Sequence, residues 1–378
     1  MKKIGIITLN GYFNYGNRLQ NYALQEILET LGCVADTILV PPDKIHLPEN
    51  GKCRLPKEKK IHWFFRKILF SIWSRSHRKE MIRLMEYRKK RFIKFSIQFL
   101  HETNIIEEKQ CTMEELEQWY DFFITGSDQV WNPYYIHLSS YYFLTFAPKR
   151  KRIAYSPSFG ITVLPDQVKM NYREWIQGME HLSVREEAGA AIIYELTGRK
   201  AKVLLDPTML LTRKDWNELK QESKWKPKRN YIATYFLEQP SHSIRKSIVK
   251  IAKQYDLELV SLGDIKDRKG YCAGPREFID YIADAHILIT DSFHGSVFSI
   301  LYETPFLVCD RGGDHPSMTS RIDTLLQTFE LTNCRWDGTS RKELFVDFST
   351  VAEVLQKERE KAITYLKEAL ELEEELYE

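Results

Sequence analysis

Four short stretches collect side chains able to move a proton or hold an anion. The densest is "ILITDSFHGSVFSILYETPFLVCD", residues 287–310, where Asp291-Ser292-Phe293-His294-Gly295 separates two apolar runs. Ser292 is a helix-capping residue type. His294, Gly295 and Ser296 would then lie in a first helical turn, where free backbone N–H groups and the helix dipole favour an anion. An imidazole so placed can exchange a proton near neutral pH, which makes His294 the candidate catalytic residue, expected near solvent at a cleft. A capped helix with Phe298 and Leu301 in the core would account for the same residues without chemistry. Downstream, "CDRGGDHPSMTSRIDTLL" adds Arg311, His315 and Arg321, enough positive charge for a dianion. "HLSVREEAG" adds Arg185, whose planar fork suits a carboxylate or phosphate, although a solvated ion pair with Glu186 or Glu187 is the ordinary fate of such a residue.

Two further stretches suit a polar, hydroxyl-bearing partner. In "NGYFNYGNRLQNYALQ" a loop with Asn14, Gly16 and Asn17 ends as a helix begins, so backbone N–H groups point outward and the glycine lets a ligand approach. In "FFITGSDQVWNP" a buried strand delivers Gly126 and Asp128 to its carboxyl end, with Trp131 close behind as a candidate floor for a sugar ring. An Asn or Asp cap and a core tryptophan fit these residues equally well. P-loop, HExxH and GxSxG signatures do not occur, so phosphate-loop, zinc-protease and serine-hydrolase chemistry has no foothold.

The elements that must position these residues alternate in type. "IGIITL", residues 4–9, reads as a strand. "NRLQNYALQEILETLG" has helical spacing, and "ADTILV" is a second strand, so the chain opens as a β-α-β unit of a parallel sheet. Strands are expected at 121–126, 153–158, 182–186 and 202–207, then at 231–237 and 257–263, and on either side of the His294 turn. The fold class is therefore α/β, with two Rossmann-like domains facing across a cleft. Their spans are 1–211 and 231–350, joined by a polar linker over 212–230, and a helix over 351–378 packs back on the first domain. Ligands of such folds gather at strand carboxyl ends, in the cleft.

At 378 residues and 43% hydrophobic composition, the chain exceeds what one core usually serves. Lys plus Arg number 55 against 52 Asp plus Glu. That balance hides a helical, basic insertion in the first domain, about 43–118, with sixteen basic and three acidic residues between Lys52 and Lys94. Trp63, Phe64, Phe65, Phe70 and Trp73 alternate there with arginines and lysines. Either the aromatics are core and the charges a solvated face, or the segment contacts anionic lipid head groups peripherally. With no nucleic-acid motif beside the charge, nucleic acid is not an expected partner. The six cysteines show no ligand spacing and read as reduced thiols. The N-terminus turns polar too early for a signal-peptide core, and no apolar run approaches the roughly 20 residues of a membrane span, so a cytoplasmic location is expected, with the insertion at the inner membrane face.

Taken together, "NYGNRLQNYALQ", "TGSDQVWNP", "LSVREE", "LLDPTMLL" and "ITDSFHGSVFSILYETPF" resemble the polysaccharide pyruvyl transferase family, in order and across most of the chain. The resemblance implies a GT-B-like fold and transfer of pyruvyl from phosphoenolpyruvate, as co-substrate, to two hydroxyls of a sugar or lipid-linked oligosaccharide acceptor, with no cofactor and no metal. It implies His294 as proton carrier. Arg185, Ser292, Gly295, Ser296, Arg311 and Arg321 fall to the donor, and Asn14, Gly16, Asn17, Gly126, Asp128 and Trp131 to the acceptor. Members similar to this chain carry arginine two residues before the histidine; Ser292 stands there instead, leaving Arg311 or Arg321 to supply that charge. Two other readings fit the same residues: a glycosyltransferase using a nucleotide sugar, with the His294 turn on its diphosphate, and a non-catalytic, membrane-docked scaffold for glycan assembly.

Overall fold

A computed structural model describes residues 1–39, 77–134, 139–311, 319–339 and 344–372. The aromatic run from Trp63 to Trp73, Cys53, His315 and residues 373–378 of the expected last helix lie outside the described residues.

The first half is built on one parallel sheet. Its elements are β1 (Lys3–Ile7), α1 (Tyr15–Thr30), β2 (Val34–Ile38), α2 (Arg78–Phe99), β3 (Glu102–Thr103), β4 (Phe122–Thr125), β5 (Arg152–Ala154), α3 (Asp166–Gln177), β6 (His181–Val184), α4 (Glu187–Thr197) and β7 (Lys202–Val203). The strand order is β3-β2-β1-β4-β5-β6-β7, with Ile4 opposite both Ala35 and Phe122. Strands β1 and β4 are continuous apolar runs because helices or loops cover both faces.

After α5 (Arg213–Leu219), whose Thr212 and Asp215 form a reciprocal capping box, a second parallel sheet begins. It consists of β8 (Tyr231–Tyr235), α6 (His242–Gln254), β9 (Glu258–Ser261), α7 (Pro275–Ala283), β10 (Ile287–Thr290), α8 (Phe293–Tyr302), β11 (Phe306–Val308) and α9 (Ser320–Thr328). The order β11-β10-β8-β9 puts the reversal of strand order between β8 and β10. The last helix, α10 (Val351–Ala369), touches first-half residues. Tyr365 donates to the Ala154 carbonyl at 2.8 Å, and Arg359 donates to the carbonyls of Met209 and Leu211 at 2.6 and 2.5 Å.

The sheet class matches the alternation in the sequence, and the strands are shorter than their apolar runs suggest. The run at 202–207 forms ladder only over Lys202–Val203, because Asp206 turns the chain by capping the next turn at Thr208. Within the described part of the basic insertion, α2 buries Arg88, Phe92, Phe95 and Ser96 and turns most of its lysines and arginines outward. The five described cysteines are buried and form no disulfide with one another. Among the described residues no helix is long and apolar enough to cross a membrane.

Candidate functional site

Strand β10 ends at Thr290, and Ser292 caps α8 by accepting from the Gly295 N–H at 3.3 Å. The Ser296 N–H is taken by the Ser292 carbonyl at 3.1 Å. These bonds correct the expected backbone cradle: the N–H groups of Gly295 and Ser296 hold the turn itself. Gly295 is needed for packing, since a Cβ there would lie 2.9 Å from Thr290 Oγ1.

His294 is not near solvent as expected; it is 5% exposed. The start of α1 covers it so closely that a Cβ on Gly16 would sit 2.0 Å from His294 Nδ1. The other ring nitrogen, Nε2, lies 3.5 Å from Asp206 Oδ2 and makes no hydrogen bond. The two halves therefore meet across the imidazole.

Asp206 is the hub beneath that ring. Its Oδ2 accepts from Arg185 Nη1 at 2.7 Å and from Ser127 Oγ at 2.8 Å, while Oδ1 accepts from Thr208 N and Oγ1 at 3.1 and 2.6 Å. Burial opposes its charge, but His294, Arg185 and the Thr208 hydroxyl outweigh burial and hold its carboxyl well below the usual range. Arg185 is thus a buried ion-pair partner of Asp206, with Asp128 Oδ1 at 3.4 Å, and not the solvated residue its flanking glutamates suggested. Glu186, the immediate neighbour, is also buried, and its Oε1 accepts from Ser158 Oγ and from the N–H groups of Phe159 and Gly160. Burial pushes its carboxyl up, against Arg185 and Arg321.

Arg321 comes from α9 to the same place. It is 3% exposed and among the described residues has no carboxylate ion pair; the Gln129 amide oxygen, in the orientation its neighbours require, accepts from its Nη1 and Nη2 at 3.3 and 3.2 Å. Burial, then the fields of Arg185 and Arg311, push its guanidinium down to about 9, so it stays charged at neutral pH at a cost. The Arg185 and Arg321 guanidiniums lie 4.2 and 6.0 Å from the Phe293 ring centre, so one ring faces both cations. Arg311 stands farther out, 4.0 Å from Asp291. Five buried polar atoms around this point lack a hydrogen-bond partner among the described residues: His294 Nε2, Arg185 Nε, Arg321 Nε, Glu186 Oε2 and Asn17 Oδ1. Native proteins pair nearly all such atoms, so a cluster of them marks a place where something else binds.

The remaining candidates separate. Asn14 uses its side chain to accept from the Gly16 N–H at 2.9 Å, so it caps α1. Gly126, at φ +119°, packs where a Cβ would lie 2.2 Å from the Tyr155 carbonyl oxygen. Asp128, at φ +63°, accepts from the Gln129 N–H and faces Arg185. Trp131 is no sugar platform: it is fully buried, stacked on Phe143 at 4.9 Å, with its indole N–H donated to the Tyr142 carbonyl. Asp206 was missed as a site residue although it stands in "LLDPT". A carboxylate before proline at a strand end could have flagged it. Nothing local distinguishes Glu186 or Phe293, which matter through contacts made far away in sequence.

A cavity of about 30 Å³, room for one water, lies beside Asp206, Phe293 and Arg321 on the side away from α1. A further cavity of about 750 Å³ lies at the edge of the second sheet, between α6 and the loop after β9.

Residues 14–313 match the family described as Polysaccharide pyruvyl transferase. No curated protein matches. Among solved structures, the chain is similar to a putative UDP-N-acetylglucosamine 2-epimerase from Listeria monocytogenes, at 11% identity over 96% of this chain and 91% of that one, with a TM-score of 0.45. It is similar to the glycosyltransferase SsfS6 from Streptomyces sp. SF2575, at 12% identity over 96% of each chain and a TM-score of 0.41. It is also similar to the ADP-heptose LPS heptosyltransferase II of E. coli, at 11% identity over 97% and 98% and a TM-score of 0.36.

Proposed function

Because the chain belongs to the polysaccharide pyruvyl transferase family, we propose that it moves the pyruvyl carbons of phosphoenolpyruvate onto two hydroxyls of one sugar, in a glycan or lipid-linked precursor. The observation that carries this reading is the buried guanidinium of Arg321, which has no carboxylate ion pair among the described residues, beside Arg185 and the buried imidazole of His294. A small, multiply charged anion is the partner such a site lacks.

In this scheme Arg321 holds the phosphate or carboxylate of the donor, Arg311 adds charge at the rim, and Arg185 is held in place by Asp206. Protonation of the donor's methylene carbon by His294 leaves an electrophilic centre. One sugar hydroxyl adds to that centre, phosphate departs, and the second hydroxyl closes the ketal. Of the two hydroxyl protons, one replaces the proton given to the methyl carbon and the other leaves with phosphate, so atoms and charge balance. Ser292, Gly295 and Ser296 keep the imidazole at the end of β10. Asp128 and the unpaired Asn17 carbonyl face the acceptor. Gly126 and Asn14 shape that side, and Trp131 supports it from the core. The scheme asks for no cofactor and no metal. The outward lysines and arginines of α2, with Ile82, Met85 and Ile97 exposed among them, suit peripheral contact with an anionic membrane on the cytoplasmic side.

Incubation with carbon-labelled phosphoenolpyruvate and a panel of lipid-linked and free sugars, read by mass spectrometry and NMR, tests the reaction. A labelled ketal methyl signal with release of phosphate is expected, and its loss in His294→Gln. Titration showing no binding of phosphoenolpyruvate to the full chain would overturn the reading.

A further inference from the structure

Helix α2 does not turn all of its charge to open solvent. Lys90, Lys94 and Gln98, each four residues from the next, form one row along it, and Tyr87 and Arg91 flank that row. This face borders a groove whose other wall is the start of α7, in the second half. The groove holds a cavity of about 300 Å³ between α2 and Gly274–Glu277; a second of about 210 Å³ shares Tyr87 and Arg91 with it and reaches Trp225.

Charge in the groove is one-sided. Arg91 is paired with Glu277, whose other oxygen accepts from the Gly274 N–H at 3.1 Å. Arg276 donates from Nε to the Leu219 carbonyl at 2.6 Å and from Nη1 to the Gln221 amide oxygen at 3.2 Å, which leaves Nη2 without a partner among the described residues. Lys90 and Lys94 form no ion pair among the described residues. Burial, then the field of Arg91, weaken the hold of Arg276 on its proton. Cations from both halves therefore face one hollow, and the exposed Glu222 is the other carboxylate lining the adjoining cavity.

We propose that this groove binds a phosphate ester, and that the bound phosphate ties α2 to α7 and so one half of the molecule to the other. The inference is independent of pyruvyl transfer, since the groove shares no residue with the His294 site. Oxygen count and size select the chemistry. The terminal oxygens of a phosphate can serve Lys90, Lys94 and the open Nη2 of Arg276 together, which the two oxygens of a carboxylate cannot. The hollow is larger than bare phosphate fills, so an organic body belongs beside the phosphate, against the rings of Tyr87 and Phe95. A soluble sugar or glycerol phosphate and the head group of a lipid both carry this chemistry. Ile97, 78% exposed and next to Gln98, offers the lipid an apolar neighbour.

Position gives the tie a consequence. Phe278 follows Glu277 and stacks on Tyr15 at 4.2 Å, and Tyr15 precedes Gly16, the residue that rests on His294. A ligand that fixes α7 against α2 steadies the contact over the imidazole.

Isothermal titration of the full chain at low salt, with glycerol 3-phosphate, glucose 1-phosphate, dioctanoyl phosphatidate, inorganic phosphate and sulfate, tests this. At least one ester should bind with Kd below about 1 mM, and inorganic phosphate and sulfate about tenfold more weakly or worse. Binding of a water-soluble ester identifies a soluble source, and binding of phosphatidate alone identifies a lipid. The ester should still bind to Arg321→Met, which disables the His294 site. It should bind at least about tenfold more weakly to the double variant Lys90→Gln, Lys94→Gln, whose exposed positions leave the fold intact. A bound ester should also raise the thermal unfolding midpoint of the native chain and not that of the double variant. The proposal falls if no ester binds below about 1 mM, if inorganic phosphate or sulfate binds as well as the best ester, if the double variant binds the ester as the native chain does, or if Arg321→Met abolishes binding. Phosphoenolpyruvate titrated into the double variant reads the His294 site by itself; no binding there would overturn the pyruvyl reading and leave this site standing.

Discussion

Arg321 carries a charge that its surroundings oppose, and that conflict separates function from stability at the residue scale. Arg321→Met should weaken phosphoenolpyruvate binding by about 100-fold or more. The same change should leave the folded state as stable or raise its stability by about 1 kcal/mol, because it removes a buried cation that makes no carboxylate ion pair among the described residues. Titration and urea unfolding of the same variant check both halves of that statement. Asp206 behaves oppositely. Its native carboxyl titrates below its ordinary value, so its contribution is complete above that value and is lost only as pH falls through the lower native one. Asp206→Asn should cost about 3–5 kcal/mol at pH 7, since it leaves the buried Arg185 without its closest counter-charge. The gap to the native chain should narrow only below about pH 4, which acid-range unfolding curves would show. His294 and the arginines were legible as types in polar turns. Their burial was not, because it depends on Gly16 and Phe293, apolar or featureless residues supplied from elsewhere in the chain.

Helix ends, more than helix bodies, build the candidate site. The first turn of α1 lies on the first turn of α8, and only a glycine at 16 allows it. Gly16→Ala should abolish ketal formation and lower stability, because a Cβ 2.0 Å from the imidazole must push α1 or the ring aside. Gly11→Ala in the same loop is the control: its Cβ would meet Asn17 Nδ2 at 3.5 Å, an ordinary contact, and activity should be kept. Parallel measurement of activity and thermal unfolding distinguishes the two. The alternation of strand and helix could be read from apolar periodicity and turn residues. Strand ends could not, because caps such as Ser292 and Asp206 stop a ladder before its apolar run is exhausted.

Arg88 connects the two halves across the whole molecule. Its guanidinium donates to the Leu262 and Tyr271 carbonyls of the second half, at 3.1 and 2.7 Å, and to Phe13 O and Tyr15 Oη of the first, at 3.1 and 2.6 Å. It also lies 4.4 Å from the Tyr15 ring centre, and Tyr15 stacks on Phe278 at 4.2 Å. Arg88→Ala should therefore cost about 3 kcal/mol or more and split a single unfolding transition into two, by removing the donor that the Phe13 and Tyr271 carbonyls share across the halves. Calorimetry of the native chain and the variant checks this. In a segment so rich in arginine, sequence gave no means of telling this buried residue from its solvated neighbours, since only the partner loops distinguish it.

Five separated motifs, read in order, were enough for family and fold class, because local propensity and apolar periodicity act within a few residues and survive in the chain's text. Three further features came only from tertiary structure: Asp206 as the common partner of Arg185 and His294, Trp131 as core, and a cavity of about 750 Å³ at the edge of the second sheet. Each is a contact or a void between residues tens to hundreds of positions apart, and burial and charge pairing over such separations are properties of the folded arrangement, not of any one segment.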